Sequence, residues 1–241
     1  MTDFLSYEWE WKNKDAQFRV DMQYWELLPV LGYNHLLYVC YAPRDPDAAA
    51  FKHLEEVRAQ QLLALLASRF AGQIIYVGSV TLPALAQHYY YTANPALVNE
   101  FSALCRSENK LQVGCGHMRE PKFVTYYRFL FPDDAKLQSI ENAAFLKSLR
   151  LPPAAHALVH RVNLVFSFLS EQTRRGFLER ARDLGMNALN TFAVASPTHP
   201  YCATLTGFSP LLLPDLNRYT ARAIRVAAEA DGILERLEVN S

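Results

Sequence analysis

The chain has 241 residues, of which 51% are apolar and 20% charged, with lysine plus arginine equal to aspartate plus glutamate at 24 each. That length and apolar share suit two packed domains and exclude disorder as the default state. A neutral total lacks the basic excess that a DNA- or RNA-binding chain carries, which disfavours nucleic acid as the main partner.

The first residues, MTDFLSYEWEWKNKD, carry acids early and no unbroken apolar core, so no secretory leader is expected. Residues 17–28 alternate loosely and are rich in β-formers, which predicts a first strand. Pro29, Gly32 and Asn34 supply turn chemistry. HLLYVCYA (35–42) is a near-continuous apolar run, as in a strand covered on both faces. Asp47 can cap a helix over 48–70, whose expected inner stripe is Leu54, Val57, Gln61, Leu62, Leu65, Leu66 and Phe70. IIYVGSVTL (74–82) and ALAQHYYYTA (84–93) predict two strands joined near Pro83. Asn94-Pro95 opens a helix over 95–107. LQVGCGHM (111–118) and FVTYYRFLF (123–131) predict a hairpin, followed by a helix over 133–150 capped by Asp133 or Asp134.

Leu151-Pro152-Pro153-Ala154-Ala155 is the expected linker, because paired prolines resist helix and stiffen a connection. It divides the chain into domains 1–151 and 152–241. Beyond it the order is strand 157–169, helix to Gly185, strand 186–195, strand 199–209, helix 215–231 and strand 233–239. This βαββαβ order is the ferredoxin-like plan, two helices on one antiparallel sheet. The expected class is therefore α+β, with the first domain a related α/β sandwich carrying extra strands.

No stretch approaches the roughly 18 apolar residues that span a bilayer, so no membrane association and a cytoplasmic location are expected. The cysteines Cys40, Cys105, Cys115 and Cys202 are scattered without a CxxC pair, and are expected as free thiols. No GxGxxG, Walker A or GxSxG pattern is present. In LAQHYYYTAN (85–94), strand alternation puts Tyr89 and Tyr91 on one face and His88 and Tyr90 on the other. Three adjacent rings then cannot form one stacking platform, and no Lys or Arg stands nearby to track phosphates. Rings packing a sheet on both sides is the simpler expectation. Cys115 and His117 share a strand face but lack two further ligands for zinc, so neither metal nor cofactor is expected.

The carboxy-terminal part, from VNLVFSFLSEQTRRGFLERARDLGM onward, resembles the regulator of ribonuclease E activity B family. The resemblance lies in the xxFxxxAxxLG helix (Phe177, Ala181, Leu184, Gly185), the two strands after it, and a helix carrying Thr220, Ala223 and Ala227-Ala228. The family's common Gly-x-Tyr-Asp-Gly-Trp ending is replaced here by Gly232-Ile233-Leu234-Glu235-Arg236-Leu237. The resemblance implies a bacterial, non-enzymatic regulator that acts through protein contacts, with a ribonuclease as the partner class. The expected contact residues are the helix arginines Arg174, Arg175, Arg182, Arg218 and Arg222. Open sheet edges also suit a homodimer. The alternative is an enzyme or small-ligand-binding protein with a pocket between the domains, built from His88, Tyr89, Tyr91, Cys115 and His117.

Overall fold

The structure, a computed structural model, describes residues 3–27, 29 and 32–240. It is α+β, with two antiparallel sheets and seven α-helices among the described residues. The chain forms two compact units, 1–132 and 133–241.

In the first unit six strands run in the order β1-β2-β4-β5-β3-β6. β1 (Phe4–Trp11) and β2 (Lys14–Asp21) form a hairpin. Its two-residue turn, Lys12-Asn13, has both φ angles positive, at 54° and 58°, which matches the twist of the flanking strands. The single strand expected over 17–28 is thus the second arm of this hairpin, followed by a short helix α1 (Tyr24–Leu27); residue 28 lies outside the described residues. β3 (His35–Ala42), β4 (Ile74–Leu82), β5 (Leu85–Thr92) and β6 (Gln112–Arg119) fall where the apolar runs place them.

Helices α2 (His53–Arg69) and α3 (Leu97–Ser107) contribute to one core. Leu62 and Leu66 of α2, Phe70 just after it, and Leu97, Phe101 and Cys105 of α3 bury Leu37, Val39 and Tyr90 of the sheet. The buried stripe of α2 is Ala59, Leu62 and Leu66, while Leu54 is 64% exposed. The expected stripe was too broad, because a helix of this sheet-covering kind buries only one face.

Residues 123–131, expected as a strand, instead wind into a π-helical segment, Thr125–Leu130. Helical winding puts Phe123, Tyr126 and Leu130 on one side, and all three are fully buried. The Tyr126 hydroxyl donates to the Asp21 carbonyl at 2.7 Å, and the Tyr7 hydroxyl to the Leu130 carbonyl at 2.7 Å. Strand alternation could not have turned all three side chains inward.

The second unit begins with α4 (Asp134–Ser148), capped by Asp133 through a bond from the Lys136 amide. The short helix α5 (Pro153–His156) starts at the second proline of the expected linker. The junction expected at 151/152 therefore falls inside the second compact unit. The cause is α4, whose Asn142 amide donates to Asn217 and Thr220, each at 2.9 Å and all three buried. β7 (Val159–Phe168), α6 (Glu171–Asp183), β8 (Asn187–Ala193), β9 (Tyr201–Pro210), α7 (Leu213–Ala228) and β10 (Ile233–Asn240) follow in that order. Their sheet runs β10-β7-β9-β8, every pair antiparallel. Ser170 caps α6 by accepting from the Thr173 amide at 3.1 Å. Phe166, Phe168 and Phe177 centre the core. A side chain at Gly232 would start 2.3 Å from the Phe168 ring, so only glycine lets the chain pass there.

Candidate functional site

One face of the first unit's sheet carries an open groove of about 530 Å³. Strand alternation builds it. In β2, Ala16, Phe18 and Val20 are buried, so Gln17 and Arg19 face the other way. The register then aligns one polar row across four strands: Ser6 opposes Arg19, Arg19 opposes Ser79, and Ser79 opposes His88. Gln17 and Thr81 form a second cross-strand pair beside it. Phe4 supplies an apolar wall, and Tyr41 of β3 closes the far end. The Arg19 guanidinium lies 4.1 Å from the centre of the Phe4 ring, a cation–π contact that fixes its orientation.

His88 is held between two tyrosines. Its Nε2 lies 2.9 Å from the Tyr41 hydroxyl and its Nδ1 3.3 Å from the Tyr76 hydroxyl. The Tyr41 ring stacks on the imidazole at 5.5 Å. Burial, helped by the Arg19 charge, pushes the His88 pKa down to about 4, so the ring is neutral at physiological pH. Burial also pushes Tyr41 up to about 12, with Tyr76 adding to the shift. Of the eight lining residues Arg19 is then the one charged group, and none is a carboxylate.

The other residues expected for a pocket are dispersed. Tyr89, Tyr90 and Tyr91 are all buried, at 6%, 4% and 0% exposure. Tyr90 joins the core beneath α2 and α3. Tyr89 meets Phe129 edge-on, and Tyr91 packs on Phe123 and donates to the Glu120 carboxylate. The alternation read from the sequence holds, and both faces of β5 are covered. Cys115 is half-buried beside the α2–α3 core, with its sulfur 4.0 Å from the Ser102 carbonyl, whereas His117 is exposed on the outermost strand. Burial, with Cys115 nearby, raises the Cys105 thiol to about 12, which leaves it protonated and a poor nucleophile. The set His88, Tyr89, Tyr91, Cys115 and His117 is therefore brought together only in part: His88 alone lines the groove.

Of the helix arginines, Arg174 is turned inward. Its Nη1 lies 3.4 Å from both the Phe192 and Cys202 carbonyls, and its guanidinium lies 5.7 Å from the Tyr201 ring. Arg175 pairs with Glu171 and Arg218 with Asp215, each within its own helix, and Arg222 donates to the Leu184 carbonyl at 3.0 Å. Arg182 is exposed near the end of α6.

The strand expected over 186–195 is β8 (Asn187–Ala193), and the character of its edge is what the sequence reading did not single out. It is an edge strand, paired only with β9 among the described strands. Six of its seven residues are exposed, and none is charged. Edge strands usually carry charges or prolines that block pairing with another chain. The one blocking device here is an irregularity between Ala188 and Asn190.

No family model and no curated protein matches the chain. The solved structure of an unknown protein from Galdieria sulphuraria is similar over 86% of this chain and 98% of the other, at 12% identity and a TM-score of 0.23.

Proposed function

We propose that the protein is a non-enzymatic regulatory protein whose second unit is a ferredoxin-like interaction domain, and that it engages a protein partner along β8. The observation that carries the reading is this exposed, uncharged edge strand with one unpaired rim of backbone N–H and C=O groups. Such an edge accepts an added strand from a partner, with main-chain hydrogen bonds giving affinity and alternate side chains giving selectivity. The βαββαβ order and the β10-β7-β9-β8 sheet support the ferredoxin-like reading. The xxFxxxAxxLG helix supports a ribonuclease as the partner class and a cytoplasmic site of action.

The helix arginines serve this reading as rim contacts. Arg175, Arg182, Arg218 and Arg222 are exposed on α6 and α7, while Arg174 organises the β8–β9 end from within. Rim charges tune association rate and selectivity more than affinity.

The test uses the full chain and a purified ribonuclease E-type nuclease. Stoichiometric capture and a slowed cleavage of a short RNA are expected. The double variant Leu189→Lys/Thr191→Lys should weaken capture by about tenfold or more, since charge on an edge opposes strand addition. Arg175→Ala should change it by less than about threefold. Capture that survives the lysine pair, or no capture at all, defeats the reading. If β8 instead pairs with a second copy, the wild-type chain sediments as a dimer and the lysine pair as a monomer.

A further inference from the structure

We infer that the groove on the first unit's sheet is a binding site for a small organic anion, a carboxylate or a phosphate, seated on Arg19 and Tyr41. A polar solvent face is ordinary for an antiparallel sheet, so polarity by itself decides nothing. Four features go further. The volume, about 530 Å³, is that of a small-molecule pocket. Among the lining residues Arg19 is the one charged group and none is a carboxylate; the buried Asp21, whose carboxyl feels the Arg19 charge, does not line the groove. Arg19 is also pre-positioned: stacked on Phe4, it presents N–H edges to the groove without having to freeze a mobile side chain first.

The fourth feature is a proton count. A neutral imidazole has one N–H and one lone pair. Tyr41 and Tyr76 bring one hydroxyl proton each, so three protons serve two hydrogen bonds and one is spare. With the proton on Nδ1, His88 donates to Tyr76 and Tyr41 donates to Nε2, which leaves the spare proton on Tyr76. With the proton on Nε2, His88 donates to Tyr41 and Tyr76 donates to Nδ1. The Tyr41 hydroxyl is then free to donate, and Tyr41 lines the groove. An anion accepts protons and offers none, so its arrival selects the second arrangement. The resulting chain runs Tyr76 to His88 to Tyr41 to ligand. Ser6, Gln17 and Thr81 remain to hold the rest of the molecule. A single cation in the lining suits one compact anion; a nucleic-acid backbone would call for a track of them.

The experiment titrates the full-length protein with inorganic phosphate and, separately, with succinate, holding ionic strength constant with chloride. Binding is read by calorimetry and the His88 tautomer by ¹⁵N NMR. Saturable binding of at least one anion is expected, and the probe that binds identifies the ligand as phosphate or carboxylate. Saturation should move His88 towards the Nε2–H form. Arg19→Gln should weaken binding about tenfold, the loss of one charge-assisted contact. Because Arg19 is exposed, the variant should fold; Ser6→Phe, which fills the groove from the neighbouring strand, serves as a second, independent block. The inference is overturned if neither anion binds better than chloride, if binding survives both substitutions, or if saturation leaves the tautomer unchanged.

Discussion

His88 shows how much a single residue's meaning depends on its neighbours. In the sequence it is a histidine beside three tyrosines. In the fold it is an uncharged link between two hydroxyls. Its pKa of about 4 lies below the unfolded value near 6.5, so between these values the unfolded chain binds the extra proton. Stability contributed by His88 is therefore fully present above pH 6.5 and is lost as pH falls through 4. The loss should amount to roughly 2–3 kcal/mol of the first unit's stability. Urea unfolding at pH 7 and pH 4.5 should show it in the wild type, and His88→Gln should remove that part of the pH dependence. Equal pH dependence in both proteins would show that the ring already ionises in the folded state.

At the scale of elements, strands and helices with strong periodicity were legible and the π-helical segment was not. FVTYYRFLF is dense in β-formers and aromatics, which locally favours strand. Its winding is dictated from outside. Glu120 accepts from Tyr91 and from the amide and hydroxyl of Thr125, which ties the segment's start to β5. Phe123, Tyr126 and Leu130 then find the sheet's second face. Tyr126→Ala should cost about 3–5 kcal/mol through the cavity it leaves. Tyr126→Phe should cost about 1 kcal/mol, because only the bond to the Asp21 carbonyl is lost. Chemical unfolding of the two variants checks the ranking; equal costs would mean that the hydroxyl, not the ring, holds the segment. The β1–β2 hairpin was half legible for a related reason. Lys12-Asn13 is a turn whose first residue gives no signal, since lysine at positive φ is uncommon.

For the whole molecule, the boundary between compact units lies at 132/133, and the double proline at 152–153 lies inside the second unit. α4 brings Phe145 and Leu146, and Leu149 just after it, to the second unit's core, and Asn142 to α7. A fragment 133–241 should therefore unfold cooperatively. A fragment 152–241 should be less stable by several kcal/mol, since it exposes that apolar surface and leaves Asn217 without its buried partner. Circular dichroism melts of the two fragments decide this. Equal melting temperatures would return the boundary to the prolines.

The α+β character, the βαββαβ run of the second half, and the opposite facing of Tyr89 and Tyr90 could all be read from the chain alone. Each follows from residue spacing within one element, where side-chain direction repeats every second or every third to fourth position. The groove, the neutral state of His88, the π-helical winding and the ownership of α4 could not. Each depends on which strand lies beside which, and that register joins residues as distant as Ser6 and His88 through pairings no local pattern encodes.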